Sequence, residues 1–230
     1  MIKTPKLVIF DMDGTMLDTE TLSLEGWRQA VPAQIPRVDW DLFHKAFYEM
    51  IGSNYEGCKR IALTYFPSFN FEQGYEFCRQ YMDDYIEKNG IPLKPGLFEV
   101  LDTLETLGIQ KSVATSTLTD RALKKLALAG AAHRFYKIVG GDQVPLSKPN
   151  PDIFLKAAKD SGFLPADCLV IEDSAAGAMG GHRAGMDLIV IQDIVPLSAE
   201  TKSIANMICD NLHQVAQVLT QAALDAGELR

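Results

Sequence analysis

The sequence predicts an α/β protein with a Rossmann-like core, in which a doubly wound parallel sheet carries a small all-helical domain inserted after the first strand. Short apolar runs alternate with segments of helical period, which is typical of a parallel sheet. Fourteen of the 20 aromatic residues lie between Thr19 and Pro92, and the strand-like runs lie outside that stretch. With 230 residues, 47% of them hydrophobic, the chain can form one large domain and a smaller second one.

Five strands are predicted from short apolar runs that end in polar residues or glycine. They span residues 6–11, 112–114, 136–139, 169–171 and 188–191. The accompanying helices follow from apolar residues three and four positions apart and from glycines that end the pattern. They span residues 97–107, 119–129, 150–161, 175–184 and 214–224. In the third of these helices, Asn150 is predicted as the N-cap and Pro151 as a first-turn residue.

The segment between the first two strands is predicted to be helical. Its helices span residues 21–30, 40–50, 55–65 and 72–88, with proline or glycine in the loops between them. Aromatic residues at helix-face spacing, such as Phe43 and Phe47, are expected to form its core. We therefore expect residues 1–17 and 93–230 to form the Rossmann-like domain and residues 18–92 to form a helical domain.

Composition excludes several classes of partner. A net charge of −8 argues against non-specific binding to nucleic acid or an anionic membrane. The longest strand-like apolar runs span four residues, whereas a membrane-spanning helix needs about 20. The four cysteines are scattered with no C-x-x-C pair, which favours a reduced compartment. We expect a cytoplasmic protein, a monomer or weak homodimer, without nucleic-acid or membrane partners.

Polar residues follow the predicted strands, at the points where ligands bind in such sheets. They are Asp11 to Thr15, Thr115 to Thr117, Lys148, and Glu172 to Ser174. Carboxylates placed together repel one another unless a cation neutralises them. Carboxylate oxygens without a paired cysteine or histidine select a hard ion, so the sequence predicts a Mg²⁺ site.

A lysine and hydroxyl groups beside that ion would complete a site for a phosphoryl group, held by Lys148, hydroxyls and loop amides. Asp11 is then either a metal ligand or a nucleophile that forms an aspartyl-phosphate. Asp13 could protonate the leaving oxygen and later deprotonate water, and Gly14 would permit the tight turn.

These residues resemble the haloacid dehalogenase superfamily, in its phosphatase branch with a helical cap after the first strand. The nearest sub-branch contains β-phosphoglucomutases and pseudouridine-5′-phosphatases. Residues 7–15 resemble the first motif, hhhhDxDGT, and Thr115 stands where the second motif has its Ser or Thr. Lys148 in SKPNPDIF resembles the third-motif lysine, and Glu172-Asp173 in LVIEDSAAG resembles the fourth motif.

The resemblance implies a role for each matching residue. Asp11 would be the nucleophile and a Mg²⁺ ligand, and Asp13 the acid/base and a backbone Mg²⁺ ligand. Asp173, helped by Glu172, would complete the metal site. The phosphoryl oxygens would be held by the remaining residues, namely Met12, Gly14, Thr15, Thr115, Ser116 and Lys148.

Departures from the mutase pattern favour a phosphatase. Ser23 stands where β-phosphoglucomutases carry a histidine that helps to gate the acid/base Asp, and Tyr55 lies near the position of their phosphate-binding arginine. The expected substrate is a small phosphorylated metabolite such as a sugar phosphate or nucleoside monophosphate. The alternatives are a sugar phosphomutase, whose product would be an isomerised phosphate, and a non-catalytic phosphate-binding protein, which should lack a motif carboxylate.

Overall fold

The computed structural model describes residues 2–227 and contains one sheet of six parallel strands. The strands are β1 Leu7–Phe10, β2 Gln110–Ala114, β3 Lys137–Val139, β4 Cys168–Glu172, β5 Asp187–Ile191 and β6 Met207–Cys209. Their spatial order is β3-β2-β1-β4-β5-β6, so the chain moves outward from β1 first to one side and then to the other. The carboxyl ends of β1 and β4 flank this change of direction, where sheets of this kind bind ligands. The predicted Rossmann-like fold is confirmed.

Helices cover both faces of the sheet. In chain order they are α1 Thr19–Ala30, α2 Trp40–Met50, α3 Tyr55–Tyr65, α4 Phe71–Asn89, α5 Leu97–Thr106, α6 Thr119–Leu128, α7 Asp152–Ser161, α8 Ala175–Arg183, α9 Ala199–Ile204 and α10 Leu212–Asp225. Alternate residues of a strand point to opposite faces. Val8 and Phe10 of β1 accordingly pack with α5, α6 and α10, whereas Leu7 and Ile9 pack with α7 and α8.

Some elements differ from the sequence prediction. It misses α9 and β6, which have six and three residues and are too short to show a hydrophobic period. The prediction that Asn150 is the N-cap of α7 is wrong, because the helix begins at Asp152 and Pro151 takes the cap position. The Asn150 side-chain amide donates instead to the Ser147 carbonyl at 3.0 Å.

Two adjacent glycines inside α8 have a packing role. A Cβ atom on Gly180 would lie 3.0 Å from the Phe154 ring, and one on Gly181 would lie 3.2 Å from Val170. The missing side chains allow α8 to lie close to both α7 and β4. This contact offsets the cost of about 2 kcal/mol that two glycines carry in a helix relative to alanine.

Helices α1–α4 pack around a hydrophobic cluster of their own. At its centre the Trp27 ring stacks on Phe71 with 5.6 Å between ring centroids. We call residues 18–92, which contain these helices, the helical insert. The two chain segments that join it to the sheet lie side by side, because the Asp18 amide donates to the Pro92 carbonyl and the Lys94 amide to the Met16 carbonyl, both at 3.0 Å. Across residues 2–227, no helix has the length and apolar character needed to cross a membrane.

Candidate active site

A buried lysine joins two acidic strand ends at the centre of the sheet. Lys148 Nζ donates to Asp11 Oδ1 at 2.5 Å, to Glu172 Oε1 at 2.6 Å and to the Ala114 carbonyl at 3.2 Å. Its side chain is 1% exposed. Burial alone would lower the pKa of Lys148, but the two carboxylates raise it, so the ammonium group keeps its charge. Lys148 therefore ties together the ends of β1, β2 and β4.

Three buried carboxylates could hold a metal ion. Asp11, Glu172 and Asp173 each offer an oxygen within 4.8 Å of the others. Burial and repulsion from Glu172 raise the pKa of Asp11 well above its ordinary value, although the charge of Lys148 lowers it. Burial and repulsion from Glu172 and Asp11 do the same for Asp173. One lysine thus leaves the group short of positive charge, which a bound cation would supply.

Hydrogen bonds distinguish the roles of these carboxylates. Both Glu172 oxygens are occupied, because Oε1 accepts from Lys148 while Oε2 accepts from the Asp173 amide and from the Ser174 amide and hydroxyl. Thr15 Oγ1 donates to Asp173 Oδ1 at 2.7 Å. Among the hydrogen bonds of residues 2–227, Asp11 Oδ2 and Asp173 Oδ2 receive none, so these two oxygens remain available to bind a ligand.

Two glycines make room for this cluster. A Cβ atom on Gly177, in the first turn of α8, would lie 1.6 Å from Glu172 Oε1. Gly14 has φ +86°, and a Cβ atom there would lie 2.2 Å from Asp173 Oδ2. The acidic cluster is thus packed directly against the backbone of α8 and of the turn after β1.

Asp13 has hydrogen-bond partners separate from this cluster. Its Oδ1 accepts from Thr19 Oγ1 and Lys125 Nζ, both at 2.5 Å, and its Oδ2 accepts from Thr117 Oγ1 at 2.7 Å. Burial would raise the pKa of Asp13, but Lys125 and these hydrogen bonds hold it below its ordinary value. The two aspartates after β1 therefore each face a different lysine.

The loop after β2 brings hydroxyl groups to the same edge. Thr115 is 1% exposed, and its Oγ1 accepts from the Thr117 amide at 3.1 Å, which leaves the hydroxyl hydrogen to donate elsewhere. Ser116 Oγ donates to the Gly52 carbonyl of the helical insert at 3.0 Å. The Met12 side chain is buried in the core, so only its backbone can face a ligand.

The helical insert adds its own side chains near Asp13. Glu20 lies in the first turn of α1. Burial and the negative charge of Asp13 raise the pKa of Glu20 to about 7. Tyr55 is 37% exposed and lies edge-on to Tyr75, with 4.8 Å between ring centroids. Ser23 turns toward α4, where its hydroxyl lies 3.9 Å from Cys78 Sγ.

The structure brings all the predicted site residues to one edge of the sheet, and it adds some that the sequence analysis missed. The added residues are Thr19, Glu20 and Lys125. Thr117 and Ser174, which the sequence already places at these strand ends, donate hydrogen bonds to Asp13 and Glu172. Lys125 sits in the middle of α6, where nothing in the linear pattern separates it from a surface lysine.

Several known proteins are similar to this chain. The sequence model of the family described as haloacid dehalogenase-like hydrolase matches residues 8–191. The phosphorylated carbohydrates phosphatase of Thermotoga maritima is 31% identical over 186 residues, 79% of this chain and 82% of that protein. The fructose-1-phosphate phosphatase YqaB of Escherichia coli (strain K12) is 29% identical over 206 residues, 80% of this chain and 95% of that protein. The β-phosphoglucomutase structure from Clostridium difficile has a TM-score of 0.76, with 21% identity, over 96% of this chain and 98% of that chain.

Replacing Lys148 tests the electrostatic arrangement of the cluster. We expect Lys148→Met to lower the free energy of unfolding in metal-free buffer by about 3–5 kcal/mol, because two buried carboxylates lose their cation. The deficit should shrink as the pH falls, since Asp11, whose pKa is already raised, takes up a proton. Urea denaturation at several pH values measures both effects.

Lys156→Met is the matched control. This lysine pairs with Asp160 on the surface of α7, with both side chains about a third exposed, so its loss should cost less than about 1 kcal/mol. Equal, small losses for the two variants would contradict the electrostatic account.

Proposed function

The chain belongs to the haloacid dehalogenase-like hydrolase family and is a phosphoric monoester hydrolase, and from that premise we propose that it hydrolyses small sugar phosphates through a phosphorylated Asp11 with Mg²⁺ bound. The observation that carries the proposal is the pairing of Asp11 with Lys148 at the end of β1, beside a second aspartate that has separate partners. One carboxylate is thus available to attack phosphorus and another to move a proton.

In the first step Asp11 Oδ2, which no described side chain engages, attacks phosphorus. The bond to the leaving oxygen breaks, and Asp13 gives that oxygen a proton. Asp13 must therefore enter this step protonated, although Lys125 and its hydrogen bonds favour the carboxylate in the free site. Lys148 and the Thr115 hydroxyl hold the phosphoryl oxygens, together with the backbone amides of Met12, Asp13, Thr15 and Ser116. The predicted contribution of Gly14 is confined to the turn, because its amide donates to the Leu17 carbonyl at 2.8 Å.

In the second step Asp13 takes a proton from water. The resulting oxygen attacks the phosphorus of the aspartyl-phosphate, which releases inorganic phosphate and restores the Asp11 carboxylate. The same residue therefore acts first as an acid and then as a base, so that protons balance over the cycle.

The donor set fits Mg²⁺. All three carboxylates are oxygen donors, and burial together with repulsion among them raises the pKa values of Asp11 and Asp173, which a bound cation would counter. Asp11, Asp173 and the Asp13 carbonyl would hold the ion. Glu172, whose oxygens already accept hydrogen bonds, would add negative charge to the site. When bound, Mg²⁺ supplies neutralisation of the phosphoryl charge.

The helical insert acts in this proposal as a cap domain over the core formed by residues 1–17 and 93–230. Its Gly52 loop contacts Ser116 after β2, and a Cβ atom on Gly52 would lie 2.5 Å from the Ser174 hydroxyl after β4, so this loop packs against two of the strand ends that form the site. Closure would exclude bulk water and limit the substrate to a small molecule. Glu20 and Tyr55 lie on the insert side, where hydroxyls of a sugar could be bound. The enzyme would work in the cytoplasm as a monomer or weak homodimer.

Phosphate release from a panel of small esters tests this function. We expect release from sugar phosphates with Mg²⁺, and a fall of at least about 1,000-fold in Asp11→Asn because the nucleophile is lost. Chelation should abolish release in the wild type. If fructose 1-phosphate and the other esters give no phosphate above the variant, or if glucose 1-phosphate is isomerised instead, the hydrolytic proposal is wrong.

A thermal shift tests the metal site without turnover. At a Mg²⁺ concentration ten times its Kd, binding adds about 1.4 kcal/mol of stability, which corresponds to a rise in Tm of about 3–6 °C. We expect Asp173→Asn to abolish this rise and the surface variant Asp167→Asn to retain it. The rise should be smaller at pH 5.5 than at pH 7.5, because the carboxyl groups with raised pKa must lose protons to bind the ion. A full shift in Asp173→Asn would contradict the assignment.

A further inference from the structure

Lys125 is a cation beside the described site residues to which the proposed hydrolysis gives no role. It projects from α6, and its Nζ donates to Asp13 Oδ1 at 2.5 Å. The two side chains are 22% and 18% exposed, so this is a largely desolvated ion pair rather than a surface one. Such pairs fix the direction of a side chain more strongly than solvated pairs do.

The donors on Asp13 come from three separate parts of the chain. Lys125 and Thr117 belong to the segment after β2, and Thr19 is the first residue of α1. Together they occupy both carboxylate oxygens of Asp13, whereas Lys148 donates to Asp11 and Glu172. If Lys125 were absent, Asp13 would keep only two hydroxyl donors and no cationic partner to fix its direction.

Resting on the proposed hydrolysis, we propose that Lys125 is a positioning residue that keeps the Asp13 carboxyl group on the leaving-group side of the site. It acts through the Asp13 carboxyl group and contacts neither the phosphoryl group nor the atoms that would hold the metal ion. In the first step the O–H bond of Asp13 breaks as the ester oxygen gains the proton and leaves phosphorus. Lys125 fixes the place from which that proton is delivered.

The choice of leaving group separates this role from a general structural one. A sugar alkoxide needs a proton as it leaves, whereas p-nitrophenolate is stable without one. We expect Lys125→Met to lower kcat/KM for fructose 1-phosphate by about 100-fold, the order of magnitude of a general acid, and to lower kcat/KM for p-nitrophenyl phosphate by less than about threefold. KM for fructose 1-phosphate should change by less than about twofold, because Lys125 does not bind the substrate.

The chain offers a matched control and a rescue variant. Lys124 is the exposed neighbour on the same helix, and Lys124→Met should leave both rates unchanged. Lys125→Arg should recover most of the lost activity, since it keeps a cationic donor at this position. Thr117→Val removes the donor on the other Asp13 oxygen and should show the same dependence on leaving group. If Lys125→Met does not fold, these last two variants carry the test.

Each other result overturns the inference. An equal loss on both esters would indicate a structural role, a loss confined to KM would indicate substrate binding, and unchanged rates would mean no role. Failure of the proposed function is recognised separately, because the wild type would then release phosphate from neither ester.

Discussion

One buried ammonium group, that of Lys148, constrains the centre of this molecule. It donates hydrogen bonds to carboxylates at the ends of β1 and β4. These contacts require the two strands to be neighbours with their carboxyl ends aligned, as they are in the parallel sheet. Burial, together with an excess of negative over positive charge, raises the pKa of Asp11 and Asp173, and a bound cation would neutralise that excess. Glycines at positions 14 and 177 are part of the same constraint, because a Cβ atom at either position would overlap a carboxylate of the cluster.

Separation of the two aspartates after β1 follows from the strand–turn geometry. They are two residues apart in sequence, yet one faces Lys148 and the other faces Lys125. A phosphoryl-transfer enzyme that forms an aspartyl ester needs a carboxylate that stays a nucleophile and another that exchanges a proton. Different cationic partners provide a physical basis for two roles in side chains of identical chemistry.

Much of the fold and the inner site could be predicted because their signals are local. Apolar runs ending in polar residues located β1 and β4, and the acidic residues at the strand ends identified Asp11, Glu172 and Asp173 as neighbours. The N-cap prediction for Asn150 failed because its side chain bonds back to Ser147, a choice that local propensity does not decide. Lys125 and Glu20 were missed because their importance depends on how α6 and α1 pack around Asp13, which is a long-range property. The glycine pair in α8 is also explained by long-range packing, because Gly180 lies against Phe154 and Gly181 against Val170.

The most direct test of the account is whether Asp11 carries the phosphoryl group during turnover. The enzyme would be mixed with excess sugar phosphate and Mg²⁺, quenched in acid within one turnover, and digested for mass spectrometry. The account predicts a phosphorylated peptide containing Asp11 that forms and decays at rates no slower than steady-state phosphate release. Phosphate release at the full rate from enzyme in which Asp11 is never modified, under conditions where a known aspartyl-phosphate survives the quench, would contradict it.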